Sequence, residues 1–346
     1  MTQPARTLTL LLLLAAPAAP LTAQAHWSPQ ATGTTAEFRG LHAVSGRVVW
    51  ASGVGGVVAH TADGGATWRV DTIPGAERLF LVDVHALDDR VAWVAGTAFE
   101  GASAGRIFHT ADGGRTWTMQ YADSTAGIFL DGVAFVDARR GVVFGDPLEG
   151  RLLVLVTTDA GATWRRVTGD RLPAVSPGEA AFAASGTSIT ARGREIWIGT
   201  GGGPIARVFH SPDGGDSWHA FETPARGGTS KGIFGLAFGD SEAGVAVGGD
   251  YQQRTASFEN LLLTSDGGRT WRTVSSDGLA GIQYGVAFAG GSAFVSTGPP
   301  GSAFSRDGGA SWTRLEGPGY NTVSCAGTPA LCWAAGTQGR IARLAP

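Results

Sequence analysis

The sequence contains little lysine and little charge overall. Lys231 is the single lysine among 26 basic residues, charged residues make up 16% of the chain, and the formal net charge is -3. Nucleic-acid-binding proteins usually carry a basic surface patch and a high isoelectric point. We therefore expect no nucleic-acid partner.

Long apolar runs are absent after the N-terminus. No later segment approaches the 18 consecutive apolar residues that indicate a transmembrane helix. The N-terminus has Arg6, an apolar run over 8–19 and a small-residue cleavage site ending at Ala25. This pattern predicts a secretory signal peptide over 1–25 and a secreted or periplasmic chain, 26–346, with no membrane span.

Motifs for metal or nucleophilic chemistry are also missing. The sequence has no HExxH, no CxxC, and no GxSxG in a strand–turn–helix context. Its histidines recur at fixed repeat positions, such as His60 and His109, which favours packing over metal binding. We expect neither a metal nor a cofactor.

The sequence has only two cysteines, Cys325 and Cys332, separated by six residues. An oxidising compartment outside the cytoplasm favours a disulfide between them across a hairpin. The alternative is two buried free thiols that pack as small apolar side chains.

An eight-residue repeat dominates the rest of the chain. It reads TADGGATW at 61–68, occurs six times in the form [Ser/Thr]-x-Asp-x-Gly-x-[Thr/Ser]-Trp, and returns every 41 to 54 residues. We call each copy a box. The box aspartates are Asp63, Asp112, Asp159, Asp213, Asp266 and Asp307, and the box tryptophans are Trp68, Trp117, Trp164, Trp218, Trp271 and Trp312. Repeats of about 40 to 50 residues indicate propellers or related arrays.

Each box predicts a tight turn between two strands. Glycine supplies the positive φ angles of such turns, and the aspartate and the Ser/Thr hydroxyl can hydrogen-bond to the turn's own backbone. The tryptophan then enters the next strand and buries a large ring between sheets. We therefore assign the box aspartates and tryptophans a structural role.

The surroundings of each box predict a four-stranded unit. Two further short apolar strands precede the strand that leads into the box, which indicates an all-β protein built from antiparallel β-propeller blades. The tail, 321–344, supplies three strands without a box, and 26–32 can add the fourth. We predict one domain of seven blades whose last blade is closed by the N-terminal strand; six blades are the alternative.

The boxes resemble the Asp-box, or bacterial neuraminidase repeat, of sialidases and many other propellers. With seven blades and a signal peptide, the chain from residue 26 onwards resembles the photosystem II assembly and stability factor type of propeller. That resemblance implies a non-catalytic scaffold with a protein partner. In sialidases the boxes lie on the face away from the active site, which implies that a binding site here lies on the opposite face.

Non-repeating loops on that opposite face supply the candidate site residues. For a sialidase-like glycoside hydrolase, the catalytic candidates are Asp146, Glu179, Asp250 and Tyr251, which could converge near the central channel. The alternative is that they lie in ordinary hydrated turns. The sialidase Phe-Arg-Ile-Pro stretch has only a partial counterpart, Phe38-Arg39-Gly40-Leu41.

Arginines form a second set of candidates. Four open the third strand of a blade and one lies in the longest loop: Arg106, Arg151, Arg207, Arg340 and Arg254. If the four strand arginines point into the channel, they would form a partial cationic ring able to bind an anion or an acidic partner. Alternatively, their position reflects the repeat, and the guanidinium groups reach solvent.

The sequence as a whole predicts an exported, non-catalytic propeller that binds a protein partner and acts as a monomer. The alternative is an extracytoplasmic glycoside hydrolase or carbohydrate-binding propeller, with a glycan as its ligand. A flat loop face favours the scaffold, and a pocket with two facing carboxyl groups favours the enzyme.

Overall fold

The computed structural model describes residues 25–98, 101–256, 261–327 and 330–345. The predicted signal peptide, 1–25, lies outside these residues except for Ala25. The described chain forms seven four-stranded antiparallel sheets. These sheets are the blades of a seven-bladed β-propeller, so the predicted fold and blade number are confirmed.

In blades 1 to 3, strands follow one another outward from the axis. Blade 1 contains β2 (Phe38–Ala43), β3 (Val49–Gly53), β4 (Val57–Thr61) and β5 (Arg69–Thr72). Blade 2 contains β6 (Leu79–Ala86), β7 (Ala92–Ala98), β8 (Gly105–Thr110) and β9 (Thr118–Asp123). Blade 3 contains β10 (Leu130–Phe135), β11 (Gly141–Leu148), β12 (Arg151–Thr157) and β13 (Arg165–Arg166).

Blades 4 to 6 repeat this order. Blade 4 contains β14 (Ile189–Arg192), β15 (Glu195–Gly199), β16 (Ile205–Ser211) and β17 (His219–Arg226). Blade 5 contains β18 (Lys231–Phe238), β19 (Ala243–Asp250), β20 (Leu261–Ser265) and β21 (Arg272–Thr273). Blade 6 contains β22 (Gly285–Phe288), β23 (Phe294–Gly298), β24 (Gly301–Ser305) and β25 (Thr313–Leu315).

Blade 7 is assembled from both ends of the chain. Its inner strands are β26 (Thr322–Ala326), β27 (Leu331–Ala335) and β28 (Ile341–Ala345), and its outer strand is β1 (His26–Gln30). β1 pairs antiparallel with β28, from Gln30 opposite Ile341 to His26 opposite Ala345. The ring therefore closes with strands from both termini, as the sequence predicts.

The boxes form the turns between the third and fourth strands. In the first box, Gly64 and Gly65 have φ angles of 77° and 86°. In the third box, Ala160 adopts the same left-handed conformation at 61°, which is uncommon for a residue with a Cβ atom. Box turns lie beside the loops that follow the inner strands, since the Gly64 amide donates to the Arg47 carbonyl. We call this side of the ring the box face and the other side the loop face.

The core lies between adjacent blades. Four tryptophans, each on the second strand of its blade, are completely buried: Trp50, Trp93, Trp197 and Trp333. Trp93, for example, stacks on Phe135 of the next blade with ring centroids 3.8 Å apart. Such large rings bury the most apolar area per side chain, and they hold successive blades together.

A long link, residues 167–188, joins blades 3 and 4 across the loop face. It carries two short 3₁₀ helices, η1 (Gly169–Arg171) and η2 (Gly186–Ser188). η2 contacts the innermost strands of the six other blades. The link therefore closes the central channel from the loop face, and a cavity of about 320 Å³ with η2 as its floor opens on the box face.

Candidate functional site

Aromatic packing holds the long link over the channel. Phe182 and Ala184 of the link pack with Phe234, Ile282 and Tyr284 of blades 5 and 6. The Phe182 and Phe234 rings meet edge to face at 4.6 Å. The axial region of the loop face, where a propeller enzyme could place its substrate, is therefore filled by the chain itself.

Polar contacts hold the same link at its tip. The Ser185 hydroxyl donates to the Tyr284 carbonyl at 2.7 Å, and the Arg39 guanidinium donates to the Ala184 carbonyl at 3.1 Å. Arg39 also forms an ion pair with Glu37. Residues of blades 1 and 6 thus fix the position of the long link.

Asp83 lies inside the channel, on the innermost strand of blade 2. Its carboxyl group accepts hydrogen bonds from the amides of Val84 (2.8 Å) and Val133 (2.9 Å). Burial raises its pKa well above the ordinary range despite these bonds. The link passes so close that a Cβ atom on Gly186 would lie 2.0 Å from Asp83 Oδ1, so this position needs glycine.

Glu179 is completely buried in an ion pair with Arg207. Arg207 Nε lies 3.0 Å from Oε1, the Thr200 hydroxyl donates to the same oxygen at 2.6 Å, and the Ser176 amide donates to Oε2 at 2.7 Å. These donors satisfy both carboxylate oxygens inside the protein. This pair anchors the long link to blade 4.

Asp146 and Asp131 form a pair of carboxyl groups near the link. Asp131 is 1% exposed, and its Oδ2 atom has no hydrogen-bond partner among the described residues. Burial, reinforced by the negative charge of Asp146, raises the pKa of Asp131 well above its usual range. Burial also raises the pKa of Asp146, whose Oδ1 accepts a bond from the Ala181 amide at 3.1 Å.

Asp250 and Tyr251 lie at the blade 5 side of the loop face. Asp250 is buried and accepts a bond from the Gln252 amide at 2.9 Å, with Lys231 Nζ 4.0 Å from its other oxygen. The Tyr251 ring is 38% exposed and lies 6.1 Å from Phe182. The structure thus places Asp146, Glu179 and Tyr251 along the link, and each of the four catalytic candidates has separate partners.

The five arginines do not form a ring around the channel. Four of them belong to or flank the third strand of their blades, and innermost strands separate that strand from the axis. Arg106 donates to the Asp123 carbonyl, Arg151 to the Leu172 carbonyl and Arg340 to the Thr337 carbonyl. Arg254, in its loop, donates to the Tyr251 carbonyl. These side chains tie loops together rather than converging.

The sequence reasoning missed Asp83, Asp131 and Phe182. The two aspartates interrupt otherwise apolar inner strands, LVDVHA and LDGVAF, and this interruption was the available signal. Phe182 lies in an aperiodic link, where no local pattern indicates its contacts.

Box aspartates are held entirely by their own turns. In every box, Asp Oδ1 accepts from the amide four residues later and from the hydroxyl two residues earlier. Oδ2 accepts from the hydroxyl four residues later. In the first box these bonds, chiefly from Thr67, lower the pKa of Asp63 to about 2.

The cavity on the box face carries two histidines and a disulfide. The rings of His42 and His85 meet edge to face at 4.3 Å, and burial lowers the pKa of His42 to about 4. Cys325 lines the cavity and is bonded to Cys332 on the neighbouring strand. Within the described residues, no three His, Cys, Asp or Glu side chains group in a way that could hold a metal ion. No helix in this part of the chain is long and apolar enough to cross a membrane.

These features define the class of the protein, a seven-bladed β-propeller with a plugged loop face. No family model matches the chain, and no curated protein sequence matches it significantly. Solved propeller structures do match its fold over most of its length.

YCF48 bound to a D1 peptide matches with a TM-score of 0.68 and 16% identity, covering 92% of this chain and 97% of that one. YCF48 from Cyanidioschyzon merolae matches with a TM-score of 0.65 and 17% identity, covering 93% and 99%. The WD40 repeats of RRP9 match with a TM-score of 0.62 and 12% identity, covering 95% and 99%. At these identities the similarity shows the propeller fold.

Proposed function

We propose that this chain is an exported, non-catalytic β-propeller that binds a protein partner, in the manner of the assembly factors that the chain from residue 26 onwards resembles. One observation carries the proposal: the long link fills the channel mouth on the loop face. A rigid surface without an axial pocket suits a protein partner better than a small substrate.

Similarity to a peptide-bound propeller supports the same proposal. The YCF48 structure with a D1 peptide matches 92% of this chain. Glu179, a catalytic candidate, is instead held by Arg207 and cannot easily act as a free acid or nucleophile. The exposed Tyr251 ring offers an amphipathic contact of the kind enriched at protein interfaces.

The test is affinity capture with the chain from residue 26 onwards, using periplasmic or secreted extract of the source organism. We expect one specific partner that binds saturably and is lost in the Tyr251→Ala, Arg254→Glu double variant. Both side chains are exposed on the loop face. Arg47→Glu, an exposed change on the box face, is the matched control and retains the partner. Absence of any saturable partner from an extract of cells that produce the protein would overturn the proposal.

A second candidate function, glycoside hydrolysis, is favoured only by the Asp131 and Asp146 pair. A carboxyl group with a raised pKa beside a second carboxyl group is the kind of pair from which a general acid and its partner are built. A panel of fluorogenic glycosides tests it. Turnover that disappears in Asp146→Asn would establish the enzyme and contradict the scaffold.

A further inference from the structure

Each box packs against the preceding blade, and we call this contact a box junction. Large side chains of the preceding blade fill five of the six junctions. In order around the ring these residues are Trp333, Trp50, Trp93, Arg140 and Trp197. Trp197 is representative: its indole lies against Gly268 of the next box and donates to the Gly267 carbonyl at 2.8 Å.

The junction between blades 3 and 4 uses an ionic network in place of a tryptophan. Val142 stands at the tryptophan position, and Arg140 fills the space beside it. Arg140 donates to the Gly214 carbonyl at 3.2 Å and to Asp216 Oδ2 at 2.8 Å. Arg165 donates to Asp216 Oδ1 at 2.9 Å. Two guanidinium groups therefore share one carboxylate.

The junction between blades 5 and 6 lacks both fillers. Blades 3 and 5 can be aligned by their strand pairing. In each, a phenylalanine of the innermost strand pairs with a glycine of the second strand, Phe135 with Gly141 and Phe238 with Gly244. This register aligns Ala243 with Arg140. It also aligns Val245 with Val142, the tryptophan position.

The box of blade 6 also differs from the box of blade 4. The residue that directly follows the Asp-Gly-Gly of the box is Asp216 in blade 4 but Ala310 in blade 6. Two alanines thus replace one arginine–aspartate ion pair. The result is a cavity of about 430 Å³ whose apolar wall includes Leu263, Trp271, Phe288 and Phe294.

One member of the network remains. Arg272 follows the box tryptophan of blade 5 as Arg165 follows that of blade 3, and it lines the cavity. Arg272 is exposed, and within the described part of the chain its guanidinium group forms no ion pair or hydrogen bond, although its backbone pairs with Leu263. Nor does any donor among these residues reach the Gly308 carbonyl, the counterpart of Gly214.

The carboxylates of the cavity wall are already engaged. Asp307 accepts from Ser305 and from both the amide and hydroxyl of Ser311, and Asp240 accepts from the amides of Glu242 and Ala243. These bonds stabilise turns of the box face. The cavity therefore combines an apolar wall with one guanidinium that lacks the carboxylate its counterpart has.

We propose that this cavity is a docking pocket for an acidic side chain of the protein partner. The partner's carboxylate takes the place that Asp216 occupies in blade 4 and pairs with Arg272, and its methylene stem occupies the space that Arg140 fills. A glutamate fits this combination because its carboxylate sits at the end of an apolar stem. This inference rests on the proposed function, and it places a second contact on the box face.

The experiment measures the pocket directly with capped pentapeptides, Ala-Ala-Glu-Ala-Ala and its Gln and Arg versions. The protein is labelled with 5-fluorotryptophan, and the ¹⁹F signal of Trp271, assigned with Trp271→Phe, reports on the cavity wall. We expect only the Glu peptide to shift this signal saturably. Arg272→Gln should weaken binding about tenfold, as expected for loss of a charge-assisted hydrogen bond.

Two further variants separate the pocket from general surface charge. Ala310→Asp supplies an internal carboxylate to Arg272 and should likewise abolish or strongly weaken Glu-peptide binding. Arg165→Gln, the matched change at a junction with its own aspartate, should leave binding unchanged. A shift with the Arg peptide alone, or with none of the peptides, would contradict the inference. Partner capture that persists in Arg272→Gln would contradict it too, while leaving the proposed function intact.

Discussion

Two classes of aspartate in this protein have pKa values that move in opposite directions. Box aspartates accept several hydrogen bonds at the surface, and these bonds favour the charged form; in Asp63 they lower the pKa to about 2. Asp83 and Asp131 are buried beside the channel and the link, where desolvation favours the neutral form and raises the pKa. The first class stabilises turns. The second makes the stability of the packing around the link depend on pH.

Asp131→Asn should stabilise the protein at neutral pH. Because the folded-state pKa is raised, the unfolded chain releases this proton more readily as pH rises above about 4, and wild-type stability falls. Asparagine carries no charge and avoids the penalty. We expect a gain of about 1 to 3 kcal/mol in the free energy of unfolding at pH 7 and little change at pH 4, measured by chemical denaturation.

Asp240→Asn is the control with the opposite sign. Hydrogen bonds from the Ala243 and Glu242 amides lower the pKa of Asp240, so its contribution to stability is present above the unfolded pKa and is lost on acidification. This variant should be less stable than wild type at neutral pH. Parallel stability profiles for wild type and Asp131→Asn between pH 4 and 8 would contradict the assignment of Asp131.

At the scale of the element, the box hairpin joins a turn to an inter-blade contact. The aspartate and hydroxyls order the turn, and the tryptophan that ends the box packs between blades. In blades 4 to 6 this indole donates to its own box, as Trp218 Nε1 does to the Gly215 carbonyl at 3.0 Å. In blades 1 to 3 the indole meets, edge to face, an aromatic ring of the preceding blade or of its own blade, as Trp117 meets Trp50 at 6.3 Å.

Trp218→Ala should destabilise the protein by about 3 to 5 kcal/mol, because it removes a buried ring and leaves a cavity between blades 3 and 4. Trp218 is 3% exposed and belongs to the apolar cluster between those blades. Equilibrium denaturation measures the change. Met119→Ala, on an outer strand with 53% exposure, should alter stability by less than about 0.5 kcal/mol. Equal stability of the two variants would mean that the box tryptophan does not hold the blades together.

At the scale of the whole molecule, ring closure depends on β1. This strand covers the outer edge of β28, and Trp27 packs edge to face on Tyr320 at 5.5 Å. A propeller without it would expose a strand edge that can pair with another molecule.

Deletion of residues 25–31 should therefore lower the melting temperature and promote self-association, measured by thermal unfolding and analytical ultracentrifugation. A synthetic peptide of residues 25–31, added in trans, should restore the melting temperature and reduce association by pairing with β28. A scrambled peptide should do neither. A truncated chain with unchanged melting temperature and mass would contradict closure by β1.

Local repetition made most of the fold predictable. The Asp-Gly-Gly turns mark each hairpin, and the tail without a box indicated that the N-terminal strand completes blade 7. The candidate site was harder to predict from the sequence. Asp146, Glu179 and Asp250 were selected from loops, yet the sequence could not show that Arg207 neutralises Glu179 or that a second acid, Asp131, lies beside Asp146. These contacts join residues far apart in the chain.

The sequence by itself determined the turn of each box, because hydrogen bonds and glycine conformations within eight residues are local properties. The apolar strands around each box determined the four-stranded blade, and the tail without a box determined the seventh blade. Only the tertiary structure decided the course of the link over 167–188, the closure of the channel and the cavity between blades 5 and 6. Each of these depends on which side chains from different blades meet around the ring. Such contacts form only in the closed ring, so sequence spacing does not predict them.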